Sequence, residues 1–242
     1  VSVDLTILMG AIGLGAMLQV GVGIGFSILA GPPMMILFGT PTAVPMLLLL
    51  NTVVSAVATD RKVLKANRQT IRTAIIGCLV GVVAGLVVYP WLSEAFVLAL
   101  TASLLLIGLV TTLLPLPRSI GTTGFSIVSG LSGLATVWAA TPGPLMVFGL
   151  IAKGHPAKEV AKLVQPIALV AYGIAFLLHS LSETQAFAYG PQLWGFVALT
   201  FIGSFFGRAV GPQLPQTMVT TAIRVVSLIA CGVLFHRAFA TA

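Results

Sequence analysis

The chain has 242 residues, 58% of them hydrophobic and only 7% charged, with a formal net charge of +7. A soluble domain carries about 25% charged residues, so this composition excludes a water-soluble globular fold and identifies an integral membrane protein. The surplus of lysine and arginine would point to nucleic acid in a soluble chain. Here it is gathered into short connections, as cytoplasmic loops require.

A membrane helix needs about 20 apolar residues, and about eight apolar segments can be marked out on that criterion. The first, Leu5 to Ala30, holds the glycine run Gly21, Gly23 and Gly25 and leads into Gly31-Pro32-Pro33. It lacks the basic start of a signal peptide and is followed by further segments, so it reads as part of the fold. The second runs from Pro32 to Thr59 with a break at Gly39-Thr40-Pro41, the third from Gln69 to Tyr89 and the fourth from Ala95 to Leu114. After a Pro117-Arg118 linker the fifth covers Thr122 to Ala152, broken at Thr141-Pro142-Gly143-Pro144. The sixth runs from Ala157 to Leu181, the seventh from Leu193 to Val210 and the eighth from Thr217 to Phe235. Lipid cannot satisfy backbone N–H and C=O groups, and the alternation of barrel strands is absent, so all are expected to be helices.

Glycine and proline at this density free backbone groups that survive at membrane depth only when buried in protein or lining a wet cavity. The plainer alternatives are surface loops or close helix packing. The breaks recur: "GPPMMILFG" ending at Gly39 is similar to "PGPLMVFG" ending at Gly149. A ladder of Gly77, Gly81 and Gly85 returns as Gly203, Gly207 and Gly211. Two correspondences in the same order indicate a duplicated unit, with residues 1–114 as an N-terminal repeat, 115–121 as a linker and 122–242 as a C-terminal repeat.

The basic residues orient the repeats. Arg61, Lys62, Lys65, Arg68 and Arg72 sit between the second and third segments, and the equivalent connection from Ser182 to Gln192 has no basic residue. Lys153, Lys158 and Lys162 follow the fifth segment, with none around Thr40. Arg208 and Arg224 flank the last turn, with none near Glu94. If positive loops face the cytoplasm, the halves have opposite topology, as in inverted-repeat transporters. Each half then needs an odd number of crossings, and a re-entrant hairpin at each broken region is the simplest arrangement that supplies it. Arg237 falls outside on this scheme. The expected fold class is an all-α polytopic bundle of two inverted repeats with Gly/Pro-broken helices.

These motifs resemble the sulfite exporter TauE/SafE family, also called toluene sulfonate uptake permeases, over nearly the whole chain. The likeness rests on "GVGIGF" followed by "GPPMMILFGT", the basic loop "DRKVLKANRQTIR", the ladder "GCLVGVVAG", and the second copies "SGLSGLATVWAATPGPLMVFG" and "GSFFGRAVG". Family members typically have a denser glycine cluster in both halves; here the second copy has Ser132, Gly133 and Ala135, with Trp138 close by. The resemblance implies a multi-pass secondary transporter, not an enzyme, that exports sulfite or an organosulfonate across a bacterial cytoplasmic membrane. Its implied partners are the small anion, the lipid bilayer and a proton as candidate coupling ion. No cofactor, metal or nucleic acid is implied.

An anion site in such a chain should use half-helix N-termini, where bare N–H groups and aligned dipoles favour negative charge. The residues after Pro33 and Pro144 suit that role, and Gly21, Gly23, Gly25 and Gly143 would let a ligand approach bare backbone. Gln19, Asn51, Ser129, Thr141, Gln165 and Tyr172 are the polar side chains on or near these segments. Singly each reads as an interhelical hydrogen-bonding group; together they form a candidate substrate-binding set. Arg208 is the sharpest single candidate, because an intramembrane arginine is costly, though its place near a segment end lets it snorkel. Arg224 is similar and weaker. His179 is a candidate proton carrier, against the plainer reading of an interfacial histidine. Asp60, Glu94, Glu159 and Glu183 all fall in connections, which argues against a carboxylate proton relay. A second reading is a membrane thiol or electron carrier using Cys78 and Cys231, whose apolar surroundings favour inert thiols instead. A third is a passive anion channel.

Overall fold

A computed structural model of the chain describes residues 3–23, 25–111, 113, 120–141, 143–182, 190–213 and 215–241. The Pro117-Arg118 linker, Pro142, Glu183 and much of the connection beyond Ser182 lie outside the described residues. Among the described residues there are eleven α-helices and no strand: α1 (Val3–Val22), α2 (Phe26–Phe38), α3 (Thr40–Ala58), α4 (Arg61–Ala66), α5 (Arg68–Val88), α6 (Glu94–Thr111), α7 (Thr122–Ala139), α8 (Gly143–Ala152), α9 (Ala157–Ser182), α10 (Gly190–Val210) and α11 (Gln216–Thr241). Seven of them, α1, α3, α5, α6, α9, α10 and α11, are long and apolar enough to cross a membrane, while α2 and α8 are shorter apolar helices.

Two sequence expectations need correction. Gly31-Pro32-Pro33 does not interrupt a segment, because Pro32 and Pro33 lie inside α2. The chain breaks earlier, at Gly23 (φ 97°) and Gly25 (φ 145°), where it takes a backbone conformation that side chains disfavour. Pro33 is therefore mid-helix and does not head a half-helix, and its likeness to the residues before Gly149 is not a structural equivalence. The basic loop also holds a short helix, α4, capped by the Asp60 carboxylate, which accepts the Lys62 N–H at 2.8 Å.

The direction of each helix follows from a few contacts. The Ile120 N–H donates to the Ala152 carbonyl at 3.2 Å, and Lys153 Nζ lies 4.5 Å from the Phe125 ring centre. Thus α7 and α8 form a hairpin that enters and returns at one end. Gly77 lies beside Ser126 and Ser129, and Gly85 beside Val137 and Trp138, so α5 runs parallel to α7. Arg68 and Arg72 therefore share that end with Lys153. Gly203, Gly207 and Gly211 meet Gly13, Met17 and Gly21 in turn, so α10 runs parallel to α1. Gly23 touches Ala161 near the start of α9, which puts Arg208 at this basic end too.

The base of the first hairpin is at the other end. There the Glu94 carboxylate accepts the Thr40 N–H at 3.3 Å, and Phe38 packs on Phe196 with ring centres 6.4 Å apart. Hence α1 starts opposite the basic end and α7 starts at it. The two halves thus run in opposite directions relative to that end, each with a pair of apolar helices that turns back on itself followed by three helices long and apolar enough to cross a membrane.

The repeats exchange partners. The hairpin helix α1 packs on α10, the hairpin helix α7 packs on α5, α3 pairs with α9, and α6 with α11. In lipid, helices associate through packing and hydrogen bonds and gain little from hydrophobicity, so small residues set the closest seams. A Cβ on Gly81 would collide with the Gly130 carbonyl, and one on Gly207 with the Met17 carbonyl. The outer faces carry exposed Trp91, Trp194, Phe205 and Phe239, as a lipid-facing surface does. The two central helices α3 and α9 are the most buried crossings, at 56% each against 28–33% for the others.

Candidate functional site

The hairpin breaks meet against the middle of α3 and the inner part of α9. Ala140, the one described non-glycine residue with positive φ (50°), ends α7 in a left-handed turn; its N–H and that of Thr141 return to the Thr136 and Ala135 carbonyls. The turn aims the Ala140 carbonyl at the first hairpin. It accepts the Ser27 hydroxyl at 3.1 Å and the Tyr172 hydroxyl at 3.4 Å. Ser27 has a second acceptor in Asn51 Oδ1 at 3.2 Å, and the Asn51 amide is held by the Leu47 carbonyl at 2.9 Å. Both hairpins, α3 and α9 are thus tied at one junction.

On the basic side of that junction lies a cavity of about 370 Å³. Its walls come from α2, α6, α8, α9 and α11, running from Ile151, Val160, Thr111 and Thr220 near the basic end down to Ser27 and Tyr172. Most of the wall is aliphatic. Gln19, Gly23, Gly25, Thr141, Gly143, Pro144 and Tyr172 from the candidate set all line it.

The two half-helix N-termini differ. At α2 the Gln19 side-chain oxygen already accepts the Phe26 N–H at 3.1 Å. At α8 the Thr141 hydroxyl turns back to the Ala139 carbonyl at 2.6 Å, and a Cβ on Gly143 would meet no atom within 4 Å. Pro144 occupies the first turn of α8, where a missing N–H costs no hydrogen bond. Gly143 therefore faces open space, whereas Gly23 has its missing Cβ directed at Ala161.

The remaining candidates lie outside the cavity. Gly21 packs on Gly211. The Ser129 hydroxyl bonds within its own helix to the Phe125 carbonyl at 2.8 Å. Gln165 donates to the Gly23 carbonyl at 3.1 Å and stitches the first break to α9. Asn51 supports the junction from behind, and Pro33 sits within α2. Arg208 is exposed on α10. His179 is buried in the last turn of α9, with Nε2 3.0 Å from the Val137 carbonyl and its ring edge-on to Tyr89. The Cys78 backbone packs on Gly133 of α7, and Cys231 Sγ donates to the Ala102 carbonyl on α6 at 3.2 Å, so the two free thiols belong to different helix seams.

Three participants leave little trace in the sequence. Ser27 and Ala140 carried no motif beyond their nearness to glycine and proline. Arg224 was ranked below Arg208, yet it lines the cavity, and Thr220, Arg224 and Ser227 recur along one face of α11 at helical spacing. That periodicity was the available signal.

The family model described as Sulfite exporter TauE/SafE matches residues 7–234. No curated protein and no solved structure matches the chain.

Proposed function

The chain belongs to the sulfite exporter TauE/SafE family, a family of membrane transporters and not enzymes, and from that premise we propose that it carries sulfite or an organosulfonate by alternating access between its two repeats. The observation that supports this reading is the cavity at the hairpin breaks, which runs from the basic end to the Ser27, Ala140 and Tyr172 junction. On this reading the anion rests by the first turn of α8 at Gly143, with Gln19, Gly25, Thr141 and Tyr172 around it. Undoing the junction while the basic mouth closes passes it to the other side. The aliphatic wall favours an anion with an organic tail, because a bare oxyanion would leave apolar surface against water. With the basic end cytoplasmic, the cavity is loaded from the inside, and the chain exports its anion across the bacterial cytoplasmic membrane when the coupling gradient favours that direction. Residues 1–114 and 122–242 are the moving repeats, and the proton is the proposed coupling ion.

The test is flux into and out of liposomes containing the purified protein. Sulfite and sulfoacetate should both be transported, and an imposed proton gradient should drive net accumulation. Flux that saturates and is exchanged against unlabelled anion is expected. Flux that is linear in concentration and shows no exchange would indicate a passive channel.

A further inference from the structure

We propose that Arg224 and Ser227 of α11 hold the charged head of the transported anion, at the depth where α8 begins. The proposal rests on the transporter reading above and adds to it the side chains that recognise charge. Among the described residues Arg224 is the one charged side chain lining the cavity. It lies about one turn inside the apolar stretch Thr220–Ala240 of α11, a depth at which a guanidinium faces a wet cavity or a polar partner and not lipid.

Helix register fixes its depth. The helix α6 starts at the end of the bundle where Glu94 meets Thr40, whereas α11 starts from the basic end, so the two pack antiparallel. Cys231 Sγ of α11 donates to the Ala102 carbonyl of α6 at 3.2 Å. Both helices rise equally per residue, so counting back from Cys231 to Arg224, and forward by the same number from Ala102, reaches Leu109. Leu109 lines the cavity with Arg224, and a Cβ on its neighbour Gly108 would lie 3.3 Å from Pro144. Arg224 therefore stands level with the first turn of α8, in the wall of the same cavity.

Ser227 supplies an independent sign of a ligand. It follows Arg224 on the same face of α11, is 3% exposed and lines the cavity. Buried hydroxyls elsewhere in the bundle return to the carbonyl four residues back, as those of Thr101, Ser129 and Thr136 do. The Ser227 hydroxyl makes no hydrogen bond within the described residues. Buried polar groups are normally paired, and an oxyanion in the cavity is the acceptor that this hydroxyl lacks. The guanidinium presents five N–H donors in a planar fork that matches paired oxygens, so a partner within the protein does not exhaust it. The N–H groups that open α8 at Gly143 add their dipoles at the same depth.

The experiment is calorimetric titration of sulfite and of sulfoacetate into the full chain, purified and monodisperse in detergent. Arg224→Gln should weaken both anions about 10- to 100-fold, the loss of a charge-assisted hydrogen bond. Arg224→Lys keeps the charge and should retain most of the affinity, and Ser227→Ala should lose about 3- to 10-fold. A second measurement needs no variant to fold: in wild type, sulfoacetate should slow the reaction of Arg224 with phenylglyoxal, followed by mass spectrometry, and leave the exposed Arg68 and Arg208 unaffected. Affinity within about twofold of wild type in Arg224→Gln or in Ser227→Ala, an equal loss in the lysine and glutamine variants, or an absence of protection at Arg224 overturns the proposal while leaving the transporter reading intact. A wild type that binds neither anion defeats both together.

Discussion

The Ser27 hydroxyl donates to the Ala140 carbonyl at 3.1 Å across 113 residues of sequence, and with that bond the broken region of one repeat holds the broken region of the other. The bond exists because Ala140 adopts a left-handed conformation, which costs an alanine about 1–2 kcal/mol and turns its carbonyl out of the α7 axis. Tyr172 from α9 meets the same oxygen.

Ser27→Ala and Tyr172→Phe should therefore each destabilise the closed junction by about 0.5–1.5 kcal/mol. Because either hydroxyl alone still satisfies the buried carbonyl, the double variant, which leaves it unpaired, should lose more than the sum. Denaturation midpoints of the detergent-solubilised protein would show this, and strict additivity would mean that the two bonds are not coupled at Ala140.

The loop carrying Lys65 and the turn carrying His155 lie at the same end of the bundle, and Ser93 lies at the other. Single cysteines placed at Lys65 and His155 should react with an impermeant maleimide from the same side, and one at Ser93 from the opposite side. Cys78 and Cys231 are buried and should stay silent. Labelling of the first two sites from different sides would contradict the inverted arrangement.

Gly81 and Gly207 stand where two backbones touch. Gly81→Leu and Gly207→Leu should each reduce the yield of monodisperse protein sharply, since overpacking of this kind costs about 1–3 kcal/mol or more. Gly10 and Gly232, around which a Cβ would meet nothing within 4 Å, are the controls: leucine there should be tolerated. Similar size-exclusion profiles for all four would remove the packing role.

The glycines at the breaks should respond differently from each other. A Cβ on Gly143, which lines the cavity, meets nothing within 4 Å, so the Gly143→Val variant should fold and lose about tenfold or more in anion affinity, a loss of at least 1.4 kcal/mol. Valine at Gly23 meets both Ala161 and a φ of 97° and should fail in folding before binding can be measured. Calorimetric titration on the monodisperse fraction separates the two. A Gly143→Val protein with unchanged affinity would move the site away from the first turn of α8.

Replacing both Cys78 and Cys231 with alanine should leave anion flux within about twofold of wild type. A collapse of flux in folded protein would revive the thiol-carrier reading.

Much of the architecture was legible because membrane helices announce themselves by length and because loop charges record sidedness. The ladder at Gly77 and Gly203 was a sound guide, since a close backbone approach requires small residues at helical spacing. Pro33 misled because proline in water ends a helix, whereas α2 accepts two prolines within a packed membrane bundle. Arg208 and Arg224 are alike in kind, both near helix ends, and only the recurrence of Thr220, Arg224 and Ser227 along one face of α11 tells which of them turns inward. The rotation of the Ala140 carbonyl belongs to tertiary packing, since no side-chain pattern encodes a backbone atom.

The exchange of partners, α1 with α10 and α5 with α7, has a consequence for ancestry. If each half had folded alone before joining the other, its hairpin would lie against its own long helix. Here α1 and α7 pack most closely on α10 and α5 of the opposite half, while each hairpin also touches the next long helix of its own, an arrangement that two half-length chains inserted in opposite senses would share. A tandem fusion of such a chain would preserve that embrace and free the two copies to diverge.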